Sequence, residues 1–87
     1  MRIDGALTLA TVSQRWPELT AASRTTTEID LSGLAEFDSA GLACLTALKR
    51  EWATDQQPSH TPLKLRGASP KVLALASTYD VMELFDF

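Results

Sequence analysis

The chain has one cysteine and one histidine in 87 residues, four glycines and four prolines. It also has no long apolar run. Each scarcity excludes something. A lone Cys44 cannot close an internal disulfide, and inside an apolar run it reads as a small buried hydrophobe. Cys44 and His60 together fall short of the four ligands of a structural zinc site, so no metal is expected. His60 lies in a polar loop with no route to a nucleophile, and it reads as a solvated loop residue. The longest uncharged apolar stretch, Ser39 to Leu48, is about half of the roughly 20 residues that a membrane-spanning helix needs. Behind Met1-Arg2-Ile3-Asp4 there is no apolar segment of the secretory type. These absences lead us to expect a soluble, cytoplasmic protein. Basic residues are sparse too: eight Lys and Arg against eleven Asp and Glu, interspersed, for a net charge of −3. No basic face is available for a phosphate backbone, so nucleic acid is not an expected partner. No Gly-rich phosphate loop is present. A serine hydrolase would carry Gly-x-Ser-x-Gly, but Phe37 stands two residues before Ser39. No catalytic residue and no cofactor are therefore expected.

What is present is apolar: 45% of the residues are hydrophobic, enough for one core. A chain of this length makes one domain, residues 1–87, and buries roughly 60–65% of its unfolded surface. Strand and helix patterns alternate along it. Arg2 to Leu7 is a short strand interrupted by Gly5. Leu9, Val12, Trp16 and Leu19 then recur on one helical face behind a possible Thr8 cap. Pro17 implies a late start, near Ser13, or a kink. After a polar turn at residues 23–27, Glu28 to Leu34 alternates cleanly as a strand, with Gly33 at its end. A helix spans about Ser39 to Ala53, followed by a polar loop over residues 54–62. Leu63 to Gly67 alternates again. Ser69 caps a helix with Pro70 at its first position; Val72, Leu73, Leu75, Ala76 and Tyr79 form its buried face. The tail, Val81 to Phe87, ends as a short strand or docked segment. Four strands alternating with three helices predict an α/β fold with a mostly parallel four-strand sheet.

The helix after Phe37 is the most informative element. Asp38 or Ser39 can cap it by accepting from the free N–H groups of the first turn. Residues 40–48 then carry no charge, whereas a surface helix keeps a polar face. Leu42, Leu45 and Leu48, joined by Ala43, Cys44 and Ala47, leave two readings open: burial on both sides, or an apolar patch for a partner. Gly41 costs about 1 kcal/mol against alanine in a helix, and its missing side chain admits a close approach of another chain. Ser39, at the positive end of the helix dipole, suits a partner's carboxylate or an added phosphate; Asp38 would repel the latter. Trp16 fits either the core or a place beside this helix, and Trp52 the core or its rim. Lys49, Arg50 and Glu51 read as a solvated helix end.

Asp38-Ser39-Ala40-Gly41-Leu42 after a hydrophobic strand resembles the signature of STAS domains, the fold of anti-sigma factor antagonists. Ile29-Asp30-Leu31-Ser32, Gly5-Ala6-Leu7-Thr8 and Leu63-Lys64-Leu65-Arg66-Gly67 followed by Ser69-Pro70-Lys71-Val72 fit the same pattern in order. With the sequence stopping at Phe87, the additional C-terminal helix of many STAS domains is expected to be missing. Length and ends are most similar to the branch serving as the cytosolic subunit of Mla phospholipid-transport ABC complexes in Gram-negative bacteria. That resemblance implies a non-enzymatic accessory subunit, held at the inner membrane through its complex. It would bind the ATPase subunit and, indirectly, the permease, supporting outer-membrane lipid asymmetry. The resemblance places Ser39 on the ATPase-binding surface; taken with the uncharged helix and its neighbours, the expected partner surface is Asp38, Ser39, Gly41, Leu42, Leu45 and Trp16. The alternative within the family is an anti-sigma factor antagonist whose partner is a kinase that phosphorylates Ser39.

Overall fold

Two alternating segments form the middle of a parallel sheet. The computed structural model describes residues 1–23, 28–55 and 63–87, with side chains of the second span described to residue 52. The polar turn at residues 24–27, most of the loop at 54–62 and His60 lie outside the described residues. The elements run β1 (Gly5–Leu7), α1 (Val12–Ser23), β2 (Glu28–Asp30), β3 (Leu34–Phe37), α2 (Ser39–Asp55), β4 (Leu63–Arg66), α3 (Pro70–Thr78), a 3₁₀ turn (Met82–Leu84) and β5 (Phe85–Asp86). β1 pairs with β3, and β2, β4 and β5 lie side by side, all in parallel.

The sheet differs from the expected four strands in one place. The strand read as Glu28 to Leu34 stops at Asp30 and resumes at Leu34, so that the segment expected as a loop before α2 is itself a strand, β3. The break is a turn: the Ser32 N–H donates to Asp30 Oδ1 at 2.9 Å, and the Leu34 N–H donates to the Leu31 carbonyl at 3.1 Å. The N-terminal segment runs alongside both halves. Arg2 bridges Asp30, Ile3 N–H donates to the Asp30 carbonyl and Gly5 N–H to the Gly33 carbonyl, each at 3.0 Å. Physically there are still four lines of chain, the second one kinked. Gly5 absorbs the resulting shift in register with a φ of 75°, a conformation that side-chain-bearing residues avoid.

β4 shows why the layers stack as they do. Leu63 and Leu65 are buried while Lys64 and Arg66 point to solvent, the period-two pattern of a sheet with one covered face. On the open face Arg66 pairs with Glu28 of β2 at 3.1 Å. The covered face joins Ile3, Leu7, Ile29, Leu31 and Phe37 to Leu42, Leu45, Leu48 and Trp52 of α2 and Val72 and Ala76 of α3. Each large aliphatic side chain so buried contributes about 1.5–3 kcal/mol. α2 lies between α1 and α3, in contact with both.

The other departures have local causes. α1 begins at Val12, because Thr8 to Thr11 close a turn in which the Thr11 and Val12 N–H groups both donate to the Thr8 carbonyl, at 3.0 and 2.9 Å. Leu9 therefore leaves the apolar stripe on which its spacing had placed it. Pro17 sits within α1 on an exposed position, so the carbonyl it leaves without a helical donor, that of Ser13, can reach water. Lys49 is buried rather than solvated; it continues the Leu42, Leu45 and Trp52 stripe, and its aliphatic stem packs there. Ser69 caps α3 as expected, its hydroxyl accepting from the Val72 N–H at 3.4 Å. Leu73 and Tyr79, expected on the buried face of α3, are exposed; Tyr79 has already passed the helix end.

Candidate functional site

Asp38 alone caps α2, which resolves the choice between it and Ser39. Its Oδ1 accepts from the Gly41 N–H at 3.0 Å, and its carbonyl accepts from the Leu42 N–H at 3.0 Å. The second carboxylate oxygen is used as well: Oδ2 accepts from the Leu9 N–H at 3.1 Å. One carboxylate thus fastens the β1–α1 turn to the start of α2. These donors hold the Asp38 carboxyl below the ordinary carboxylate range, the Leu9 N–H most strongly, then that of Gly41, with Ala40 and the charge of Lys71 adding to them against the effect of burial. Ser39 is left exposed, and its hydroxyl is not used for the cap.

Beyond Ser39, α2 presents a ridge of small uncharged residues with an apolar groove on each side. Toward α1 the groove is lined by Val12, Trp16, Ala40, Ala43, Cys44 and Ala47. Toward the end of α3 a second groove, lined by Ser39, Leu42, Ala43, Thr46, Tyr79 and Val81, encloses about 420 Å³. Ala43 is exposed and belongs to both. Trp16 is half-buried: packed against the core on one side, it forms a groove wall beside α2 on the other. The two readings left open for Trp16 are therefore both met. Of the two readings of α2, burial on both sides is not met: one face, with Leu42, Leu45 and Leu48, is core, and the other, with exposed Ala43, is an uncharged surface.

Three of the residues expected on that surface lie beneath it. Leu45 is fully buried and Leu42 is 4% exposed; both pack in the core, and Leu42 reaches the surface only as the floor of the second groove. Gly41 is buried too. A Cβ there would collide with the Leu7 carbonyl oxygen and stand 2.9 Å from two carbons of the Phe37 ring. The close approach that Gly41 permits is thus made by the protein's own β1, a correction to its reading as a gap for another chain. Conversely, Leu9, Tyr79 and Val81 belong to this region without having been singled out. Tyr79 is 56% exposed and Leu9 80%; helical spacing put both on buried faces, and only knowledge of where each helix begins and ends would have released them.

The side chains lining the two grooves are apolar or uncharged. Burial pushes the Cys44 thiol up to about 11, with Arg15 opposing weakly, so Cys44 contributes shape rather than reactivity. Among the described residues no group of three His, Cys, Asp or Glu side chains is placed to hold a metal ion. No described helix is long and apolar enough to cross a membrane. Compared with known protein families, the chain matches the family described as MlaB, STAS domain, over residues 1–86. No curated protein matches the chain.

Proposed function

The chain belongs to the MlaB-type STAS domain family, and on that footing we propose that it is a non-enzymatic accessory subunit of a phospholipid-transport ABC transporter. It docks on the ATPase subunit through the outward face of α2, and so stays in the cytoplasm at the inner membrane, linked to the permease only through the ATPase. The observation that carries this reading is the uncharged ridge from Ser39 to Ala47 with an apolar groove on either side. Uncharged apolar patches of this kind mark protein interfaces.

The residues divide the work. Ser39 offers an uncommitted hydroxyl at the positive end of α2, where an acceptor on the partner gains from the helix dipole. Trp16 walls one groove as an aromatic anchor, the residue class that dominates interface energetics. Asp38 fixes the start of the helix. Gly41, Leu42 and Leu45 act from below, holding α2 against β1 and the core at the height that exposes Ala43.

Co-purification with an ABC ATPase tests the reading. Ser39→Asp places a carboxylate on the ridge beside Asp38, and the complex is expected to weaken at least tenfold. An ATPase complex left intact by Ser39→Asp removes the interface assigned here. A second reading rests on one specific observation: Ser39 is exposed and not engaged in capping, which leaves it open to a kinase. Under that reading the protein is an anti-sigma factor antagonist. Mass spectrometry of protein from its native host would then find phosphate on Ser39 whenever the cognate kinase is present, and no ATPase bound.

A further inference from the structure

We propose that Leu9 is a contact residue of the same docking face, seated in an apolar pocket of the ATPase subunit, and that Asp38 is the positioning residue that holds it there; this rests on the docking reading above. Leu9 is 80% exposed, against 36–56% for the other exposed large hydrophobic residues, Leu73, Tyr79, Met82 and Phe87. A single exposed leucine is ordinary on a protein surface. Leu9 is distinguished by how firmly its backbone is held. Its N–H donates to Asp38 Oδ2 at 3.1 Å. On one side Thr8 N–H donates to Thr11 Oγ1 at 3.0 Å, and on the other the Thr11 hydroxyl donates to the Ala6 carbonyl at 3.0 Å. A side chain presented from so fixed a turn loses little freedom on binding, which is how preorganised contacts gain affinity.

Its place and its charge surroundings name the occupant. The turn leads into Val12, which lines the Trp16 groove, and the Leu9 N–H ties it to Asp38, the residue before Ser39. Leu9 therefore stands where the first turns of α1 and α2 meet, at the head of the ridge. The turn Thr8-Leu9-Ala10-Thr11 carries no charge of its own; the Asp38 carboxylate at the Leu9 N–H is balanced by Arg15, which shares the Ala6 carbonyl with Thr11, and by Lys71. An anionic lipid surface calls for a cluster of cations, which this turn does not offer; a neutral apolar pocket on a protein needs none.

The test is calorimetric titration of the chain against the ABC ATPase recovered with it from its native host. Leu9→Ala is expected to weaken binding about tenfold and Leu9→Asp more, with circular dichroism and Tm unchanged because the side chain is in solvent. Asp38→Asn is expected to speed exchange of the Leu9 amide, read by hydrogen–deuterium exchange, and to weaken binding. In a Leu9→Ala background, Asp38→Asn should weaken it no further. A further loss in that background would mean that Asp38 acts only through the stability of α2 and would overturn its positioning role. Binding within twofold of wild type for both Leu9 variants, while Ala43→Arg abolishes it, overturns the role of Leu9 and leaves the docking face standing. If Ala43→Arg also binds normally, the docking face fails and Leu9 with it. Loss of a self-dimer rather than of the ATPase in the Leu9 variants would assign the leucine to a second copy and overturn the proposal as well.

Discussion

Gly41 and Asp38 set the geometry of the site at the scale of single residues. Gly41→Ala puts a methyl group into the Leu7 carbonyl and the Phe37 ring, and backbone cannot give way as a flexible side chain can. Overpacking of this kind costs about 1–3 kcal/mol. The gain in helix propensity, about 1 kcal/mol, offsets it only in part. We expect net destabilisation by urea titration, the reverse of what an exposed glycine in a helix would give. Asp38 predicts a pH effect. Its carboxyl titrates below the ordinary range in the folded chain, so its contribution is present above the unfolded value of about 4 and is lost as pH falls through the folded one. Asp30 behaves alike, held low by the Ser32 N–H and hydroxyl. Asp38→Asn should therefore flatten the acid limb of the stability–pH curve only in part, leaving the share of Asp30. A limb of unchanged steepness would show that the cap and the Leu9 bond do not depend on the charge.

At the scale of elements, the unexpected residue is Arg15. Its Nη1 donates to the Asp4 and Ala6 carbonyls, both at 2.7 Å, covering the edge of β1 with a charged side chain and tying α1 to the sheet. Arg15→Met keeps the stem but loses both bonds, and a stability loss of about 1.5–3 kcal/mol is expected in chemical unfolding. No spacing rule pointed to that role, because the two carbonyls, one in β1 and one just before it, lie 9 and 11 residues away. Elements themselves were legible: the alternation at Leu63–Arg66, the Ser69-Pro70 helix start and the apolar run of α2 each report local physics. Boundaries were less so. The Ser32–Gly33 turn splits a strand that alternates right through it, since alternation persists whether or not the backbone bonds continue. Leu9 kept its helical spacing but fell into a turn, and there spacing misplaced it. The places of Ser39 and Asp38 at the start of α2 and of Trp16 beside it could be read from the chain. Which side of α2 holds Leu42 and Leu45 could not, because a helix apolar all round does not announce its buried face.

The whole molecule places α2 between α1 and α3, one face toward the sheet and the other toward solvent. Nothing in the net charge of −3 steers this surface to nucleic acid, and what remains outward is neutral, grooved and small. Ala43 stands at its centre, lining both grooves. Ala43→Arg adds bulk and charge where the side chain already faces solvent, so the fold should hold to within about 0.5 kcal/mol. The most direct measurement is affinity purification of wild-type and Ala43→Arg protein from the native host, with bound proteins identified by mass spectrometry. Wild type is expected to carry an ABC ATPase and Ala43→Arg to lose it; an ATPase retained by Ala43→Arg, or a kinase in its place on the wild type, would contradict the docking of α2 on a transporter.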